Sequence, residues 1–235
     1  MKLETQTTEM LPVAGVLTAV AFRRSARARK ISLRIDPKFD GILITLPIRV
    51  SRQAGLALLR QHENWAAERL AALPRPVRFA AGAEVPVGGV PHLVVPVPGG
   101  RGGAWIEEGQ IFVAGEPEFL ARRLTDCLKR MARQNLTALA AEKAGLANVK
   151  MRAVRIKDTR TRWGSCAPDG TLAFCWRLVC APAFVQDYVV AHEVAHLRHM
   201  NHGRQFWALT ATLTPHRDMA NDWLNDNGLE LLRLG

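Results

Sequence analysis

One stretch constrains this chain more than any other: His192-Glu193-Val194-Ala195-His196-Leu197-Arg198-His199-Met200-Asn201-His202. An α-helix turns once every 3.6 residues, so His192 and His196, four apart, leave the same face and can hold one metal ion between them. Glu193 then lies beside the ion's open coordination position. Two imidazoles, a third ligand and a carboxylate that takes a proton from metal-bound water make the site of a hydrolase, and Zn2+ is the ion that suits these donors. A bare His-Glu-x-x-His arises by chance in about one percent of chains of this composition. Its setting makes chance a poorer account. From Phe184 to Leu197 the sequence reads as a helix, with Val185 and Val189 on the side of the histidines and Val190, Val194 and Leu197 on another. Histidines on a helix buried on more than one side cost free energy unless something satisfies them, and a metal does.

The third ligand lies between His199 and His202, with Glu230 and other distant acids as outsiders. On an unbroken helix His199 would share the face of His196 but sit about 10 Å along the axis from His192. That is too far for one ion at bond lengths of about 2.0–2.1 Å. Asn201 and Gly203 are helix-stopping residues, so the chain is expected to turn there and swing His202 back toward the pair. His202 is therefore the favoured ligand, and His199 falls to the substrate side of the site. The spacing equals that of metzincins, but His199 occupies their glycine position, which argues against a metzincin proper.

At 235 residues and 48% hydrophobic content the chain can bury a good core as one large domain or two small ones. The amino-terminal stretch, with Glu4 and Glu9 against Lys2, and the short apolar run of residues 11–22, broken by Pro12 and Gly15, read as neither leader nor membrane span. A cytoplasmic protein is expected, with no membrane partner. Cys127, Cys166, Cys175 and Cys180 show no C-x-x-C pairing and read as reduced thiols in or near the core. The net charge is +11, and much of it sits in two clusters: Arg23, Arg24, Arg27, Arg29, Lys30 and Arg34, then Lys150, Arg152, Arg155, Lys157, Arg160 and Arg162. These are either solvated basic faces or a footprint for DNA or another polyanion.

Taken in order, strands are expected at 16–22, 31–35 and 42–46, the last two joined by a turn at Asp40-Gly41. Ser51 caps one helix running through Leu56, Leu59, His62, Trp65 and Leu70 to a stop before Pro74. Short strands broken by Gly and Pro fill 77–115. A long helix opens at Glu116-Pro117, repeats apolar residues at Leu120, Leu124, Cys127, Leu128, Met131 and Leu139, and stops at Gly145. Val154 and Ile156 alternate with Arg155 and Lys157 in a strand, and a hairpin through Asp169-Gly170 leads to a second strand at 171–175 and then to the histidine helix. One helix follows around Phe206–Leu213. The last is capped by Thr214-Pro215 and ends at Asn227-Gly228. No repeat is apparent. The expectation is an α+β fold, with a β-rich amino-terminal part over 15–115 and a catalytic part over 116–235 in which a small sheet packs on helices.

The motifs carry a resemblance. Arg-Arg-Ser at 23–25, Arg-x-Arg-Lys-Ile-Ser-Leu-Arg-Ile at 27–35, Arg-Trp-Gly-Ser-Cys at 162–166, Trp-Arg-Leu at 176–178, Tyr-Val-Val-x-His-Glu-x-x-His-Leu at 188–197, Asn-His at 201–202, Phe-Trp at 206–207 and Trp-Leu at 223–224 together resemble the YgjP-like metallopeptidases, relatives of the SprT-like zinc proteases. The resemblance implies a zincin-like catalytic half in which His192, His196 and His202 bind zinc and Glu193 is the catalytic acid/base. This chain departs from the family in having Cys175 where Asn is frequent, and His216 and Arg217 where an aromatic follows the proline. The only tyrosine, Tyr188, lies about one turn before the first ligand. His216, His199 and Arg162 are therefore the candidates for stabilising the oxyanion.

The reaction expected is hydrolysis of a protein or peptide substrate, with Glu193 taking the proton of the attacking water and handing it to the leaving amine. The strand carrying Arg155 and Lys157, with the Arg162-Trp163 loop, is expected to lie along the cleft and pair with an extended peptide. Two other classes compete. The family resemblance also admits a metal-dependent nucleotide (UTP-type) pyrophosphatase, though Glu193 stands without the carboxylate cluster usual in magnesium-phosphate chemistry. A nucleic-acid-binding protein with a structural zinc would need a fourth protein ligand.

Overall fold

The computed structural model describes residues 7–36 and 39–235. It has an α+β architecture, and the chain divides into two compact units after Pro74. The sequence pattern suggested a division near residue 115. It falls earlier because the strands over 84–114 turn Val85, Val94, Ile111 and Val113 into the same core as the long helix that follows them. The amino-terminal stretch read as neither leader nor span lies, up to residue 6, outside the described residues. No helix among the described residues is long and apolar enough to cross a membrane.

The first unit is a four-stranded sheet backed by two short helices. Strands β1 (Thr7–Val13), β2 (Val16–Ser25), β3 (Ser32–Asp36) and β4 (Gly41–Pro47) stand in the order β1-β2-β4-β3, with β2 and β4 parallel and the other pairs antiparallel. Strand β1 was not expected, because Pro12 reads as a breaker. It is harmless there, on an edge strand where one N–H goes unneeded. Ala14 and Gly15, both with positive φ, make the two-residue turn that matches the twist of a hairpin. Ser51 caps α1 (Arg52–Gln61) by accepting from the Ala54 N–H at 3.2 Å, as expected. The helix then breaks at His62 and α2 (Glu63–Ala71) begins, so the single expected helix is two. Ile42, Ile44 and Leu46 of β4 pack with Val20, Phe22, Leu59 and Ala66 in this unit's core.

The second unit opens with β5 (Glu84–Val87), β6 (Val90–Val97), β7 (Ala104–Glu107) and β8 (Gln110–Ala114), in the order β5-β6-β8-β7 with β6 and β8 parallel. This is the topology of the first sheet again, so the fold repeats where the sequence does not. A 3-10 turn at Pro117–Phe119 leads into α3 (Leu120–Leu146), about 40 Å long at 1.5 Å per residue, whose buried stripe runs from Leu120 through Leu128 and Leu136 to Ala144. Then come β9 (Ala153–Lys157), β10 (Gly164–Cys166) and β11 (Thr171–Cys175), in the order β10-β11-β9, followed by a 3-10 segment, Trp176–Cys180. Three helices complete the chain: α4 (Ala183–Ala195), α5 (Arg204–Leu213) and α6 (Arg217–Leu231).

Helix α6 runs through Asn227-Gly228, where a stop was expected. Gly228 is buried, and a Cβ there would stand in ordinary contact with Trp163, 3.4 Å from Cζ2, so the glycine lies inside the helix without ending it. Helix α4 is fixed by a buried ion pair: Lys143 Nζ of α3 meets Asp187 of α4 at 2.5 Å and donates to the Leu213 carbonyl at the end of α5 at 2.7 Å. Asp187 lies five residues before His192. The helix carrying the histidines is thus held in register with both neighbours by a contact that a slide of one turn would break.

Candidate metal centre

Nine of the thirteen residues of α4 are buried, so little of its surface meets water. The helix ends at Ala195, two residues sooner than its apolar pattern suggests, and the chain turns through 196–203 before α5 begins. That turn brings His202 back. His202 Nε2 lies 3.1 Å from His192 Nε2, and one ring nitrogen from each of His192, His196 and His202 falls within 4.8 Å of the others. Nitrogens held at about 2.0–2.1 Å from a tetrahedral zinc would stand about 3.3 Å apart, close to the 3.1 Å between His192 and His202. The His196 Nδ1–H donates to the carbonyl of His199 at 3.0 Å, which leaves Nε2 of His196 with its lone pair free. His199 contributes through its backbone, a role its side chain did not suggest.

Burial, then the nearby charges of His196, His202 and Arg217, pushes the His192 pKa down to about 4. His196 is lowered too, mainly by burial. Neutral imidazoles near pH 7 are the form a metal needs. Among the described residues no fourth His, Cys, Asp or Glu joins this group. The donor set therefore fits an ion with an open position better than a closed structural site.

Glu193 is 7% exposed, and burial drives its pKa up to about 7, with Arg162 opposing the rise. What presses on it is β10. A Cβ on Gly164 would stand 2.5 Å from Cγ, 2.6 Å from Oε1 and 2.8 Å from Cδ of Glu193. The glycine of Arg-Trp-Gly-Ser-Cys is thus the space into which the Glu193 side chain fits, and this joins the two motifs of the sequence in one place. Strand β10 pairs with β11 alone, Gly164 opposite Phe174 and Cys166 opposite Leu172, so it is an edge strand. Cys166 also lies within the field of Glu193.

The rings of the three histidines pack on α5. Phe206, fully buried, has its centroid 4.5 Å from His196, 4.7 Å from His202 and 5.0 Å from His192. Trp207 stands 5.7 Å from His202 and 6.0 Å from His192, and Arg217 lies over the Trp207 ring at 3.8 Å. Tyr188 is edge-on to His192 at 6.0 Å. Sequence reasoning passed over Gly164, Phe206, Trp207 and Arg217 as site residues. The Phe-Trp pair and the arginine just after the proline carried a signal only by their nearness to the motif.

Other expected residues are not brought to the histidines. Strand β11 separates β9 from β10, which puts Arg155 and Lys157 two strand spacings, about 10 Å, from the edge that borders Glu193. The strand that borders Glu193 is β10, not β9. Arg162 is exposed and acts on Glu193 by its charge, while Trp163 is half-buried and packed into the core. His216 meets Phe184 edge-on at 6.2 Å, eight residues or about 12 Å of helix before His192. In the second basic cluster, Arg152 pairs with Asp169 at 2.7 Å, and Arg160 donates to the carbonyls of Leu232 and Gly235. In the first, Arg24 donates to the carbonyls of Ile48 and Val50.

Two outcomes follow from the Glu193 pocket. Gly164→Ala should fold and retain metal but cut turnover at least about tenfold, because the carboxylate must move. Placing it on Glu193→Asp, one methylene shorter, should cost less than it does on the wild type, and additive losses would deny the contact. In metal-free protein the folded state holds the Glu193 proton up to about pH 7, whereas the unfolded chain releases it near 4.5. Stability on this account falls as pH rises between those values. Glu193→Gln should therefore exceed the wild type in chemical-denaturation stability by up to about 3 kcal/mol at pH 8, and the gap should close below pH 4.5. A gap independent of pH would contradict the buried carboxylate.

A family model described as the YgjP-like metallopeptidase domain matches residues 29–227. No curated protein matches the chain. A solved structure, the metallopeptidase zymogen of Pyrococcus abyssi abylysin, aligns with 39% of this chain and 93% of its own at 16% identity and a TM-score of 0.36. With the family model covering the second unit up to residue 227 and reaching back into the first, the chain belongs to the YgjP-like metallopeptidase family.

Proposed function

We propose that this protein is a zinc-dependent peptidase in which His192, His196 and His202 hold the ion and Glu193 is the general base. The observation that carries the reading is the buried Glu193 carboxylate, lodged against Gly164 and next in sequence to the first of three converging imidazoles. Bound zinc supplies Lewis acidity, lowering the pKa of a coordinated water and polarising the scissile carbonyl.

The residues of the chain do the rest. Glu193 accepts a proton from the attacking water at a carboxylate oxygen and returns it to the leaving amine; its elevated pKa keeps it close to the pH at which it must do both. The His199 carbonyl holds His196 in one tautomer. Phe206 walls the histidines off from bulk water on the α5 side, which strengthens every charge interaction within. The free edge of β10 offers unpaired backbone to an extended peptide, so that the scissile bond passes beside Glu193.

The competing readings find less support. Among the described residues no carboxylate-rich group is close enough to hold a metal, which disfavours magnesium-dependent nucleotide hydrolysis. Arg24, Arg152 and Arg160 are engaged with the chain's own carbonyls and carboxylates, which weakens the case for a polyanion surface. The four unpaired cysteines accord with a reducing compartment such as the cytoplasm.

The test is a zinc assay run beside cleavage of casein and of UTP. Wild type should bind one zinc and cut casein, and Glu193→Gln should keep the zinc and lose at least about 10²-fold in turnover. Undiminished cleavage by that variant, or hydrolysis of UTP with casein left intact, would sink the proposal.

A further inference from the structure

The site holds one cation that the reaction above leaves unused. Arg217 opens α6, and its guanidinium lies over Trp207 with Cζ 3.8 Å from the ring centroid. Trp207 in turn stands against His202 and His192. The arginine side chain is 49% exposed, and among the described residues its ionic neighbour is Asp218, 3.8 Å away and 96% exposed. Its terminal amino groups therefore remain available to a ligand.

A positive charge next to three imidazoles that converge on a dication works against metal binding, because like charges repel over this range. Nor does so exposed a side chain contribute much to the core. What a cation in that position does well is meet negative charge that arises on the substrate. A guanidinium keeps its charge at every working pH, presents its donors in one plane, and is oriented here by the ring beneath it. Arg162 acts by its charge on Glu193, and Arg217 by its charge on His192.

We propose that Arg217 is a catalytic residue that donates hydrogen bonds to the scissile carbonyl oxygen as negative charge gathers on it. No bond to Arg217 forms or breaks, and it keeps its proton throughout. The chain's one tyrosine, Tyr188, is buried on α4 edge-on to His192, and the reaction above gives the developing oxyanion no other side-chain donor. The inference rests on the peptidase reading, but one arm of its test does not.

In the zinc-loaded protein, Arg217→Met should lower kcat on a peptide substrate about 10²-fold with KM changed less than about threefold. Arg217→Lys should fall between the two, and free guanidinium ion at tens of millimolar, on the order used for rescue of a missing side chain, should restore part of the Met variant's kcat. In the second arm, competition with a chelator should show the Met variant binding zinc about three- to tenfold more tightly than wild type, since a repelling charge has gone. Slower turnover with tighter metal is a combination that a packing defect does not produce. A kcat within about twofold of wild type, or a rise in KM alone, would overturn the catalytic assignment. Zinc affinity unchanged or weaker would place Arg217 away from the histidines. If the wild type cuts no peptide at all, the peptidase reading fails by itself, and the zinc arm still decides where the arginine's charge acts.

Discussion

Burying ionisable side chains on an apolar helix is the constraint on which the rest of this molecule depends. Helix α4 carries His192 and Glu193 in a run of valines and alanines that leaves it little contact with water. Imidazole and carboxylate placed so must lose their charge or find a partner. Their pKa shifts show the strain: histidine driven down, glutamate driven up, with burial the largest cause of each. A divalent cation reverses that balance, because it binds the neutral imidazoles and favours the ionised carboxylate.

The surrounding parts read as ways of holding that helix and shaping what lies beside it. The buried Lys143–Asp187 pair sets α4 against α3 and α5. The turn after Ala195 returns His202 to the pair, and α5 then lays Phe206 across all three rings. Strand β10 approaches so closely at Gly164 that Glu193 has one place to go. Trp163, the residue before it, packs beside Gly228 of α6. The missing side chain of Gly164 thus settles how near the edge strand can come to Glu193.

Much of this was legible in the sequence, for reasons that differ by element. The three histidines follow from helical period and the stop signals at Asn201 and Gly203, which are local chemistry. The strands at 153–157 and 171–175 and the long helix from residue 120 follow from alternation and from 3.6-residue spacing in the same way. What could not be read was long-range. Nothing local says that β11, not β10, lies between Arg155 and the site, since strand order is fixed only when the sheet assembles. The place of Gly164 against Glu193 spans nearly thirty residues and is invisible to any window, while that of Arg217 over Trp207, ten residues away, is set by the turn between α5 and α6. Gly228 and Pro12 misled for a related cause: each is a breaker by propensity and tolerated by context.

The central claim is that three imidazoles, and no other protein group, take hold of the ion and leave a position open to solvent. X-ray absorption at the zinc edge on the loaded protein tests it most directly. Three nitrogen scatterers and one further oxygen at about 2.0–2.1 Å are expected, with no sulfur. A shell containing sulfur at about 2.3 Å, or one with fewer than three imidazoles, would contradict it.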